Sequence, residues 1–91
     1  MFRIETMSEY KEEDYKSIFI ESLGINSKDF HQEIKYNEVN EWDSIGHMTL
    51  ISALEEKFKI TFETDDIVDF SSYKEGINIL KKYKILVTPN A

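Results

Sequence analysis

The chain has 91 residues, of which 41% are hydrophobic and 32% charged, and its formal net charge is −7. This length predicts a single small domain spanning residues 1–91, and the composition is too apolar for a disordered chain and too polar for a membrane protein. The lack of cysteine in the sequence excludes disulfides, thiolate metal sites and a cysteine nucleophile.

Acidic residues are concentrated in the middle of the chain, where residues 38–69 carry nine acids and two lysines. Such a surface repels nucleic acid and anionic lipid, and it favours protein partners with basic patches. The longest unbroken apolar run has three residues, which predicts neither a membrane span nor a signal peptide. We therefore expect a cytoplasmic protein.

The first predicted helix runs from about Met7 to Leu23. Thr6 and Glu9 have the spacing of a capping box, and Gly24 is a natural C-cap. Residues 25–42 follow without a steady period, but apolar and aromatic side chains recur along them. This pattern predicts a long ordered loop that contributes side chains to the core, and loops of this length are often functional.

The second predicted helix runs from about Ser44 to Phe58, and either Asp43 or Ser44 can cap it. Its apolar residues recur at helical spacing: Ile45, Met48, Ile51, Leu54 and Phe58. A short third helix is predicted from Asp65 to about Phe70, capped by Thr64. A fourth begins near Ser72, with Ser72 and Glu75 as a second capping box, and the predicted core ends near residue 84. These elements predict an all-α, small four-helix bundle.

Ser44 has two interpretations at the start of the second helix. The positive end of the helix dipole tolerates an attached phosphate, so the serine suits modification. Position alone, however, favours an ordinary capping serine. His47 lies three residues further on, but a hydrolase would also need an orienting group and an oxyanion hole, and neither is recognisable. His47 is then a solvated histidine or a partner contact, and the isolated His31 does not indicate a metal site.

The segment Trp42-Asp43-Ser44-Ile45, with Leu50-Ile51-Ser52-Ala53-Leu54-Glu55-Glu56-Lys57-Phe58 after it, resembles the acyl carrier protein family. In that family an Asp-Ser-Leu/Ile motif opens the second helix, and the serine carries 4′-phosphopantetheine. Residues 18–25 and 64–73 are similar to the family's first helix end and its third and fourth helices. The resemblance covers about residues 10–83.

The resemblance implies that Ser44, with Asp43 as the motif aspartate, receives the arm from coenzyme A through a phosphopantetheinyl transferase. The protein would be a non-catalytic, monomeric carrier that holds an acyl or aminoacyl group as a thioester. Its other partners would be acyl-loading, acyl-transfer or condensing enzymes of fatty acid or polyketide biosynthesis. Candidates to line a groove beside the arm are Ile45, Met48, Ile67 and Val68. Core packing is the preferred role for Met48 and Ile51.

The chain departs from the family pattern at Gly46, His47 and Thr49, where acids are expected. This departure favours a specialised pathway, and Gly46 would let a partner approach closely. The candidate partner-recognition residues are Ile45, Gly46, His47, Glu55, Glu56, Asp65, Asp66 and Asp69. Two alternatives stay open: a helical adaptor that binds proteins without an arm, and, more remotely, a small hydrolase.

Overall fold

A computed structural model describes residues 8–89. Four α-helices make up most of this part of the chain: α1 (Glu12–Leu23), α2 (Ser44–Phe58), α3 (Thr64–Asp69) and α4 (Tyr73–Lys82). Two strands, β1 (Ser8–Lys11) and β2 (Ile85–Thr88), flank the helices, and Ser27–Asp29 form a 3₁₀ turn. The fold is thus mostly helical, and the four predicted helices are confirmed, but the strand pair means that the protein is not strictly all-α. Within residues 8–89, no helix is long and apolar enough to cross a membrane.

The two strands pair in parallel, with Ser8 opposite Ile85 and Lys11 opposite Thr88. They correct two predicted boundaries, because the first helix begins at Glu12 and the core continues past residue 84. Lys11 precedes α1 without a side-chain cap, so Glu9 belongs to a strand and the predicted capping box does not form. Met7 and its predicted cap Thr6 lie outside the described residues. Side chains alternate along β2, and the inward-facing ones, Ile85 and Val87, are buried, which explains why this segment is ordered.

Helices α1 and α2 pack against each other in antiparallel orientation. The ring of Tyr10, just before α1, lies 4.6 Å from that of Phe58 at the end of α2. Gly24 ends α1 in the left-handed region and donates its N–H to Ile20 O at 2.9 Å, which confirms the predicted C-cap. Between the helices lies a core rich in aromatic rings, whose wholly buried members include Tyr15, Phe19, Trp42, Phe70 and Tyr73.

The connection between α1 and α2 is ordered, as predicted, because it pairs with the start of α4. Tyr36 donates its N–H to Ser71 O at 2.9 Å, and Tyr73 donates to Ile34 O at 3.0 Å. Ile34 and Trp42 are buried completely. The loop is therefore one wall of the core, and it fixes the chain just before α2.

Of the caps predicted for α3 and α4, the cap of α4 is confirmed and the cap of α3 is wrong. Ser72 Oγ accepts the backbone N–H of Glu75 at 2.9 Å, which confirms Ser72 as the cap of α4. Thr64 is the first residue of α3 rather than its cap, since Glu63 occupies the cap position without a side-chain hydrogen bond. Contacts from α2 and α4 fasten α3 instead.

The strand pair gives a testable prediction. Ile85 is 4% exposed in β2, whereas Ile45 is 78% exposed on α2. Replacing Ile85 with alanine should lower the free energy of unfolding by about 2–5 kcal/mol, because it empties a packed site. The same change at Ile45 should stay within about 0.5 kcal/mol. Urea denaturation measures both, and equal small effects would show that β2 is not part of the core.

Candidate functional site

Ser44 is the first residue of α2, and its side chain is exposed. Asp43 is the N-cap, because its Oδ1 accepts the backbone N–H of Gly46 at 2.8 Å. Of the two capping residues considered from sequence, the structure therefore uses the aspartate. No residue between 8 and 89 makes a hydrogen bond to the Ser44 hydroxyl, which leaves this group free to react.

Two depressions meet at Ser44. The first is a groove of about 320 Å³ between α2, α3 and the loop. Its lining residues are Tyr36, Ser44, His47, Met48, Ile67, Val68, Phe70 and Ser71. The second is a shallower depression along the outer face of α2, lined by Ser44, Ile45, Met48, Thr49 and Ser52. Ser44 is the point from which an attached group could enter either of them.

The surface around Ser44 is apolar. Four large apolar side chains are exposed within the described part of the chain, namely Tyr36, Ile45, Met48 and Val68. Each of the four lines one of the two depressions beside Ser44. Met48 is half exposed, so the preference for core packing at this residue is wrong, whereas Ile51 is buried as expected. Exposed apolar residues gathered around one exposed serine indicate a contact surface.

His47 is half buried, and both of its ring nitrogens are used inside the protein. Trp42 Nε1 donates to His47 Nδ1 at 2.9 Å, and His47 Nε2 lies 2.8 Å from Ile67 O. Because an indole N–H only donates and a carbonyl only accepts, the ring is the neutral tautomer with its proton on Nε2. His47 is therefore neither a solvated histidine nor a free partner contact. It also has no nitrogen left to activate Ser44, which speaks against a hydrolase.

Asp66 is the one predicted recognition carboxylate that the fold buries, with 4% of the residue exposed. Its oxygens accept hydrogen bonds from Lys82 Nζ at 2.6 Å and from the Tyr83 hydroxyl at 2.5 Å. The Tyr83 oxygen in turn accepts the backbone N–H of Glu63 at 2.8 Å. The hydrogen bond from Lys82, with that from Tyr83, lowers the pKa of Asp66. Asp66 thus anchors α3 to the end of α4 and is not available to partners.

The other predicted carboxylates differ in exposure. Glu55 is half buried, and its Oε2 accepts the backbone N–H of Phe62 at 2.9 Å, so it fastens the turn after α2. Glu56, Asp65 and Asp69 are exposed. The exposed acids of α3 are therefore Asp65 and Asp69, while the first turn of α2 has no acid and is preceded by the exposed Asp43.

Gly46 is required by the protein's own packing. A Cβ at this position would collide with the carbonyl oxygen of Glu41 and would lie 3.2 Å from the Leu23 side chain. The close approach that we attributed to a partner is made instead by the loop that precedes α2.

Three further residues line the groove although the sequence does not predict them there, namely Tyr36, Phe70 and Ser71. The loop carries no period from which the position of Tyr36 could be read. Phe70 and Ser71 lie in the short connection between α3 and α4, and only the pairing of that connection with the loop brings them beside Ser44. No group of three or more histidine, aspartate or glutamate side chains within residues 8–89 could hold a metal ion.

Comparison with known proteins shows the family of this chain. The chain is 30% identical over 70 residues to an acyl carrier protein of Chlamydia caviae, and the match covers 77% of this chain and 91% of that protein. The chain belongs to the acyl carrier protein family. No family model matches it. Membership of this family supports a carrier role without catalytic activity, in agreement with the internal use of both His47 nitrogens.

The Asp66 anchor predicts a pH dependence of stability. Because the folded pKa lies below the ordinary value of about 3.9, its stabilising contribution is complete above that value and is lost as the pH falls through the lowered pKa. We expect Asp66→Asn to lower Tm at neutral pH, and the Tm difference from wild type to shrink between about pH 5 and pH 2. Asp65→Asn, which removes an exposed carboxylate of the same helix, is the control. A difference that stays constant with pH would contradict the anchor.

Gly46→Ala tests the close contact between Gly46 and the loop that precedes α2. Alanine is the better helix former by up to about 1 kcal/mol, but its methyl group would push against the Glu41 carbonyl. We expect the free energy of unfolding to fall by about 1–3 kcal/mol, measured by urea denaturation. Ser52→Ala at an exposed position of α2 should have little effect. A gain in stability from Gly46→Ala would show that the contact is absent.

Proposed function

We propose that Ser44 is the attachment site of 4′-phosphopantetheine and that the protein carries an acyl or aminoacyl group as a thioester on this arm. The observation that carries the proposal is the free hydroxyl of Ser44 at the start of α2, where Asp43 already supplies the cap. A serine that capped its own helix would have its oxygen engaged. Ser44 instead presents an unpaired, exposed oxygen in the motif of the family.

The surroundings of Ser44 fit a phosphate ester followed by a slender, partly apolar chain. The first backbone N–H groups of a helix have no intrahelical acceptor, and the dipole end there is positive, so both favour a phosphate. The groove that begins at Ser44 offers Met48, Ile67 and Val68 to the carbon chain beyond. When bound, the arm supplies the thiol that the cysteine-free chain lacks. The contribution of Ser44 would be its oxygen, which forms the new phosphoester bond and loses its proton, while the pyrophosphate bond of coenzyme A breaks and its nucleotide half, adenosine 3′,5′-bisphosphate, leaves.

The same surface suggests how partner enzymes recognise the carrier. Ile45 and Val68, exposed by 78% and 72%, flank the attachment site, and the carboxylates of Asp65 and Asp69 lie further along α3. An enzyme that places an apolar surface over the centre and basic groups at the α3 side would match this arrangement. The transferase and the acyl-loading, acyl-transfer or condensing enzymes are the partners that we propose. Exposed Thr49 stands where an acid is expected, and this supports a specialised pathway, since a less negative surface demands recognition by shape. Gly46 and His47 carry no such argument, because the protein's own packing requires them.

Attachment is tested by incubating the purified protein with coenzyme A and a broad-specificity phosphopantetheinyl transferase, followed by intact mass measurement. We expect one arm to be added to the wild type and none to Ser44→Ala. Ser17→Ala, which removes an exposed serine of α1, is the matched control and should be modified like the wild type.

Two results would refute the assignment. An unchanged mass for the wild type with several such transferases would favour the armless adaptor. Addition of an arm to Ser44→Ala would place the modification elsewhere. If the adaptor were correct, binding of a partner protein would also survive Ser44→Ala unchanged.

A further inference from the structure

His47 forms the wall between the groove and the protein core. One side of its ring belongs to the groove lining. The ring also lies edge to edge with that of Trp42 and nearly in the same plane, with 6.1 Å between centroids and 20° between planes, and it meets Phe70 edge-on at 5.9 Å. Trp42 and Phe70 are buried. Phe70 itself lines the groove, whereas Trp42 does not, so a group that passed from the groove towards Trp42 would have to displace the His47 ring.

The hydrogen bonds of His47 close the seam between α2 and α3. Its Nε2–H binds Ile67 O on α3, while its Nδ1 accepts from Trp42 on the loop side. Opening the seam would break the hydrogen bond from His47 Nε2–H to Ile67 O. Turning the ring out of its place would also leave the buried indole N–H of Trp42 without its acceptor, which is unfavourable. The bond to Ile67 O joins α3 to α2, and Ile67 and Val68 of α3 line the groove together with Met48 of α2.

We propose that His47 is a specificity-determining residue, which closes the floor of the groove and restricts the carrier to compact acyl groups. This inference rests on the function proposed above, because it concerns the group at the end of the arm. The groove, at about 320 Å³, lies at the small end of the range for ligand sites, and the arm itself takes part of it. With the seam closed, a long alkyl chain finds no apolar space beneath the groove, since aromatic side chains fill the core there.

The first experiment tests, on the protein without an arm, whether the hydrogen bonds of His47 hold α3 in place. Amide hydrogen exchange of α3 is compared in the wild type, His47→Ala, His47→Gln and His31→Ala. We expect the protection of α3 to fall about tenfold or more in His47→Ala and to be kept in His31→Ala, which removes a histidine outside the groove. His47→Gln offers one acceptor and one donor and should retain more protection than His47→Ala. Unchanged protection of α3 in His47→Ala overturns the proposal.

The second experiment tests whether His47 determines how Tm depends on the length of the attached acyl group. The carrier is loaded from acetyl-, butyryl-, hexanoyl- and octanoyl-coenzyme A by a broad-specificity transferase, and Tm is recorded for each form. In the wild type we expect Tm to be the same for all four, within about 1 °C. In His47→Ala we expect a lower starting Tm that rises by several degrees from acetyl to octanoyl, because the opened seam admits the chain. A merely structural role of His47 would lower Tm without making it depend on chain length.

The outcomes separate the two proposals. A Tm that rises with chain length in the wild type overturns the proposed role of His47. A Tm that does not depend on chain length in His47→Ala overturns it as well. A failure to load the wild type at all refutes the attachment at Ser44 instead. In that case the exchange experiment on the armless protein still decides whether His47 fastens α3.

Discussion

The buried N–H of Trp42 is the constraint on which the site depends. The indole is completely enclosed, and leaving its donor unpaired would cost about 1–3 kcal/mol, so an acceptor must stand beside it. His47 Nδ1 is that acceptor, and this choice fixes the proton on Nε2. The Nε2–H then needs an acceptor of its own and finds Ile67 O on α3. One buried donor thus orients the loop, the first turn of α2 and the short helix together.

The helices could be read from the sequence because their signals are local. The apolar residues of α2 recur over four turns, and its start and end agree with the prediction at Ser44 and Phe58. The strands could not be read in this way. Residues 9–14 are rich in acids, which is typical of a first helical turn, and the helix begins only at Glu12. Residues 8–11 are extended because they pair with residues 85–88, a contact that no local pattern encodes.

The same distinction separates the site residues. The pairing of Asp43 with the N–H of Gly46 spans three residues, so the motif itself predicts a capped helix that begins at Ser44. Asp65, Asp66 and Asp69, in contrast, look alike in the sequence. Only the packing of α3 against the end of α4 turns Asp66 inward to Lys82 and Tyr83 and leaves the other two exposed. Reading all three as recognition residues was wrong for Asp66, because burial is decided by tertiary contacts.

The loop that precedes α2 also decides which way Ser44 faces. Successive residues of an α-helix are rotated by about 100°, so Ser44 and Gly46 point in nearly opposite directions. The backbone of Glu41 and the side chain of Leu23 occupy the side of Gly46, which directs Ser44 to the open side. Met48, four residues on, shares the face of Ser44 and therefore stays exposed despite its helical spacing with the core. The absence of a side chain at Gly46 is thus part of how the fold presents the serine, and an acid at this position would not fit.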